Sequence, residues 1–123
     1  DHWAMLRNAI RLGVKIALGT DQFPYEPNGG TTATIAEAEL YQRAGMTPLQ
    51  ALQAGTIRPA AMLRIEDEVG RLAPGKLADI VAVTADPVKD IAALRTLDFV
   101  MKGGLIVRDD DAGVPDEGGS AAR

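Results

Sequence analysis

The sequence predicts a mixed α/β chain, and three observations carry that prediction. Apolar residues recur at helical spacing both before and after one continuous apolar run at residues 14–19. The run itself, Val14-Lys15-Ile16-Ala17-Leu18-Gly19, has the form of a strand buried on both faces, and Thr20 and Asp21 follow it. Beyond Ile65 the helical spacing gives way to short β-type runs separated by turn residues. In parallel α/β folds, ligands and chemistry gather at the C-terminal ends of strands, which singles out the carboxylate of Asp21.

Taken in order, Trp3, Leu6 and Ile10 share one face of a helix over residues 2–12, with Asp1 as its cap and Gly13 just past its end. The strand at 14–19 comes next. Residues 22–30, Gln-Phe-Pro-Tyr-Glu-Pro-Asn-Gly-Gly, contain two prolines and two glycines and read as a loop. Thr34-Ile35-Ala36-Glu37 has the form of a capping box, although Thr31 or Thr32 could begin the helix a turn earlier, and the helix runs on through Leu40 to Ala44 before Gly45 stops it. Thr47 caps a further helix with Pro48 in its first position and Gln50 three residues after the cap, placing Leu49, Leu52 and Ala54 inward. Thr56 opens another through Ala60 to Leu63, with Pro59 in its first turn. In the second half, Pro74-Gly75 suits a type II turn leading into a strand at 78–83. Asp86-Pro87 is expected to cap a short helix through Ala93, and strands at 99–101 and 105–107 flank a Gly103-Gly104 hairpin turn. From Asp109 onward the composition offers too little apolar area to offset ordering, so 109–123 is expected to be a disordered tail.

Composition narrows the class of function. Hydrophobic residues make up 46% of the 123 positions but aromatics only 4%, so any core must be built from Ala, Leu, Ile and Val. A net charge of −4 without a basic cluster argues against nucleic acid or an anionic membrane as partner. The absence of cysteine removes disulfides, thiolate metal sites and thiol nucleophiles, and fits a cytoplasmic setting. No apolar run approaches the roughly 20 residues of a membrane span. The chain opens Asp1-His2-Trp3 without an initiator Met, so an upstream portion is expected, and export of a longer parent stays open.

Four stretches carry a family resemblance: Gly13 to Asp21 (GVKIALGTD), Ala44 to Leu52 (AGMTPLQAL), Ala54 to Ala60 (AGTIRPA) and Gly70 to Val83 (GRLAPGKLADIVAV). In order and spacing they resemble the amidohydrolase superfamily, in its imidazolonepropionase-like and dipeptidase-like branch, over roughly residues 2–107. The resemblance implies the C-terminal part of a (β/α)8, TIM-type barrel over 1–65 and the C-terminal strands of a small β-sandwich over 66–108. It also implies a hydrolase acting on a C–N bond (amide, cyclic amide or dipeptide), with water activated by one or two divalent metals, zinc by preference. A metal-dependent deaminase on the same scaffold is the alternative, and a non-catalytic structural or interaction module is the rival from a different class.

Within that resemblance Asp21 closes the eighth barrel strand, binds metal and accepts a proton from the attacking water. A carboxylate is needed there because it holds negative charge near a cation and remains basic enough to take a proton. Position alone leaves another role open: an acid after a strand also serves as a helix cap or loop acid. Phe23, Tyr25 and Asn28, with Glu26, lie in the loop where a barrel reads its substrate, or where a loop folds on itself. His2 is the single histidine and precedes a helix, so it reads as a surface residue and not as a ligand. Asp79 and Lys76 have plain explanations in hairpin geometry, and Asp109-Asp110-Asp111 lacks the ligand spacing of a calcium loop. With one histidine, these 123 residues alone are expected to be inactive, to need the missing barrel as partner, and to expose Ile16, Leu18 and inner helix faces, favouring oligomers.

Overall fold

A computed structural model describes residues 1–21 and 32–110. The order of elements is α1 (His2–Arg11), α2 (Ala33–Ala44), α3 (Pro48–Ala54), α4 (Ile57–Leu63), β1 (Ile80–Val83), a 3-10 helix (Ile91–Thr96), β2 (Leu97–Lys102) and β3 (Leu105–Asp109). Helices and strands are both present, as expected of a mixed α/β chain, with helices first and a small antiparallel sheet after them. Among the described residues no helix is long and apolar enough to cross a membrane.

Local chemistry sets most of the boundaries. Asp1 caps α1 by accepting from the Trp3 N–H at 3.0 Å. At its other end Gly13 N–H reaches Ile10 O and Val14 N–H reaches Ala9 O, both at 3.0 Å, the paired bonds of a Schellman stop. Thr47 and Gln50 form the expected capping box on α3, each side chain bonding the other's backbone N–H. The capping box expected at Thr34 is not formed: α2 starts at Ala33 behind Thr32, which makes no side-chain cap bond. Thr56 does not cap α4 with its side chain either, because its hydroxyl donates back to Leu52 O at 2.8 Å.

The sheet has the order β1-β2-β3 with both pairings antiparallel. Gly103 and Gly104 take φ of 56° and 83° between β2 and β3, the doubly left-handed turn that a Gly-Gly pair permits without steric cost. Asp79 pins this turn: one carboxylate oxygen accepts from Gly103 N–H at 2.7 Å and the other pairs with Lys102 Nζ at 2.5 Å. Asp86-Pro87 starts a turn and not a helix, and the helix that follows is a 3-10 segment capped by Asp90, which accepts from Ala92 N–H. β3 continues through Asp109, and Asp110 is held by its N–H to Asp98 O and by Arg108. Ordered structure thus extends past the expected start of the tail, and residues 111–123 lie outside the described residues.

The core sits where the two halves meet. Ala38 of α2, Ala51 of α3 and Ile91 of the 3-10 helix are all at most 1% exposed and pack together, with Leu18, Leu52 and Leu94 around them. A bidentate ion pair from Arg95 to Glu39, at 2.6 and 2.9 Å, ties the same 3-10 helix to α2. Arg95 also holds the Glu39 carboxyl below its ordinary value through that hydrogen bond, against the opposing effect of burial. Leu49, expected to face inward, is exposed, and so is Leu40, since alanines occupy the contact face.

The strand expected at 14–19 is not formed. Its pattern is written for neighbours on both sides, and among the described residues none pairs with it. The segment instead borrows partners from the helices. Leu18 N–H donates to Ala54 O at 2.9 Å. Leu18 and Ile16 are half-buried, not exposed as expected: Leu18 packs on the central cluster, and Ile16 lines an open cleft of about 630 Å³ between α1 and α4.

Candidate active site

Three successive residues of this borrowed segment lead to Asp21. Ala17 O lies 3.3 Å from the Tyr41 hydroxyl, Leu18 N–H bonds to the end of α3, and Gly19 N–H donates to Glu37 Oε2 at 3.0 Å. Glu37 and Tyr41 sit four apart on α2 and so share one face of it. Their side chains also meet, with the Tyr41 hydroxyl 2.8 Å from Glu37 Oε1. Burial first, and the Glu37 carboxylate second, push the Tyr41 hydroxyl up to about 12. It therefore remains a protonated donor throughout the neutral range.

On the α3 side, packing fixes the approach of the segment. A Cβ at Gly55 would stand 2.8 Å from Leu18 Cδ1, closer than carbon atoms tolerate, so glycine there admits the Leu18 side chain. The chain emerges from this grip exposed at Asp21, whose φ of 53° is in the left-handed region. Aspartate visits that region more readily than most residues, but at a cost of roughly 1 kcal/mol that the surroundings must hold in place.

Asp21 is thus placed at the exposed end of the apolar run, as the sequence suggests. Phe23, Tyr25, Glu26 and Asn28 lie outside the described residues. His2 is the first residue of α1 and is exposed. The sequence does not single out Glu37 or Tyr41: the Thr34-to-Glu37 spacing reads as a local cap, and Tyr41 lies between Leu40 and Gln42 in a helix with no motif around it. An acid and a tyrosine four apart on the helix following the Asp21 loop were the available signal.

Among the described residues no three His, Cys, Asp or Glu side chains converge as a metal site. The residues present therefore do not fit a complete metal centre, and Asp21 is at most one member of a set.

With this geometry in hand, the family model described as "Amidohydrolase family" matches residues 1–107. The chain belongs to the amidohydrolase family. It is 35% identical over 112 residues to the ochratoxinase of Aspergillus niger, covering 88% of this chain and 22% of that enzyme. To the imidazolonepropionase of Symbiobacterium thermophilum it is 40% identical over 83 residues, 67% of this chain and 19% of that protein. Among solved structures, a Xaa-Pro dipeptidase with bound methionine in its active site superposes with a TM-score of 0.76 at 39% identity, covering 86% of this chain and 25% of that one. The amidohydrolase segment described above thus spans about a fifth to a quarter of the length of these relatives.

Proposed function

We infer that these residues are the C-terminal quarter of a hydrolase that cleaves a C–N bond in a small molecule: an amide, a cyclic amide or a dipeptide. Membership of the amidohydrolase family over 1–107 supports the hydrolase reading, and the relatives are hydrolases of that family. In this reading the segment at 14–19 becomes the last strand of a (β/α)8 barrel once its neighbours are supplied. β1 to β3 become part of a small sandwich.

The observation that carries the reading is the delivery of Asp21. A segment gripped by α2 and α3 at three consecutive residues ends in an exposed carboxylate held at φ 53°. Asp21 then accepts a proton from the attacking water and passes it to the leaving nitrogen, a role that needs a basic group within hydrogen-bond reach of both. The family is generally metal-dependent. Zinc is the metal we propose, and the ligands it requires beyond Asp21 belong to the remaining three quarters of the enzyme.

The test is an assay of the full-length, zinc-loaded enzyme against panels of N-acyl amino acids, cyclic amides and dipeptides, with aminated heterocycles alongside. Release of a carboxylate and an amine from one of the first three supports the reading. Ammonia released only from the heterocycles, without ring opening, overturns it in favour of a deaminase.

A further inference from the structure

We propose that Glu37 and Tyr41 are positioning residues for Asp21, joined to it through the Ala17 to Gly19 backbone; the proposal rests on the reading of Asp21 as proton acceptor. Gly19 N–H, two residues before Asp21, is bound by the Glu37 carboxylate at 3.0 Å. That carboxylate is itself fixed by the Tyr41 hydroxyl at 2.8 Å, and the same hydroxyl lies 3.3 Å from Ala17 O. One helix face thus touches the segment at residues 17 and 19, and residue 18 is turned the other way, into the core and onto Ala54 O. The Leu18 and Gly19 N–H bonds hold the chain on alternate sides at two consecutive residues, and so restrict the direction in which it enters Thr20 and Asp21.

Charge makes this grip stronger than an ordinary turn. A carboxylate accepting a backbone N–H forms a bond about twice as strong as a neutral one. Tyr41 supplies what keeps the carboxylate from swinging into water, and as a protonated donor it does so at neutral pH. Among the described residues these bonds and the Leu18 contact hold the segment against α2 and α3, and they act beside the strand pairing that the rest of the barrel would supply. Misplacing a catalytic group by about 1 Å costs on the order of 100-fold in rate, which is why a bond two residues away bears on chemistry.

The experiment is steady-state kinetics on the full-length enzyme carrying Glu37→Ala, Glu37→Gln, Tyr41→Phe, Asp21→Asn and the Asp21→Asn/Glu37→Ala double substitution. Losing an outer support of a catalytic group typically costs about 10- to 100-fold in activity, and that loss is expected in kcat for Glu37→Ala with KM nearly unchanged. Glu37→Gln should recover most of the activity, because its amide oxygen still accepts the Gly19 N–H. Tyr41→Phe should fall between the two. In the Asp21→Asn background, Glu37→Ala should cause no further loss, since the group it positions is already gone. A merely structural role would lower thermal stability without this split between kcat and KM and without non-additivity. An unchanged kcat in Glu37→Ala while Asp21→Asn is inactive overturns the proposal and leaves the reading of Asp21 standing. Full activity in Asp21→Asn overturns that reading instead. Should Glu37→Ala fail to fold, Tyr41→Phe decides: wild-type kcat in that variant overturns the proposal.

Discussion

Replacing Ile91 with alanine tests how the two halves of the chain are joined. Ile91 is 1% exposed and is the largest side chain so enclosed among the described residues. Its neighbours in the cluster are Ala38 and Ala51, which have no rotamers with which to fill a gap, and only Leu18, Leu52 and Leu94 can move inward. The transfer contribution of the lost carbons is about 2.4 kcal/mol at about 0.8 kcal/mol per methylene-sized group. With a cavity that alanines cannot close, the expected total for Ile91→Ala is about 3–4 kcal/mol. Ile91→Val, which removes a single methyl-sized group, should cost about 1 kcal/mol. The backbone bond from Ile91 N–H to Gln42 Oε1 survives in both, so the difference isolates packing. Urea unfolding followed by far-UV circular dichroism, at matched protein concentrations, provides the comparison. A loss below about 1 kcal/mol for Ile91→Ala would refute the cluster as the joint, because even a well-collapsed site exceeds that.

Two further outcomes follow from single contacts. Arg95 depresses the Glu39 carboxyl, so the folded-state pKa lies below the unfolded one, and the stabilisation is present above the unfolded value of about 4.3 and lost as pH falls through the folded value. The melting temperature of the chain should drop across that acid window, and Glu39→Gln should flatten part of the drop; identical acid profiles would contradict the assignment. The Cβ added by Gly55→Ala would stand 2.8 Å from Leu18 Cδ1 and must displace it, which should destabilise by about 1 kcal/mol and speed hydrogen exchange at the Leu18 amide. Unchanged exchange there would show that Leu18 does not depend on Gly55.

What could be read from the sequence follows the range of the interaction concerned. Caps and stops made within a few residues, at Asp1, Gly13, Gly45 and Thr47, were legible, as was the Gly103-Gly104 turn. Contacts that cross the chain were not. The spacing that forms a real capping box between Thr47 and Gln50 recurs at Thr34 and Glu37, but the Glu37 carboxylate finds Gly19 instead, eighteen residues earlier. The apolar run at 14–19 reads as a strand because its composition is suited to burial between strands, while strand structure itself depends on partners. Leu49 reads as an inward position, yet the helices meet through alanines. Of the candidate site, Asp21 was legible because it follows a punctuated apolar run. Its supports were not, since nothing local marks a helix residue as the partner of a loop amide.

In the proposed reading Asp21 is the one catalytic carboxylate that these residues bring to a C–N bond hydrolase, and Asp21→Asn in the full-length enzyme removes it. Asparagine keeps the shape of the side chain and its left-handed tolerance but cannot take up the proton. With the fold confirmed by circular dichroism, kcat should fall by about 10²- to 10⁴-fold. A variant that folds and retains wild-type kcat would show that Asp21 is not the proton acceptor.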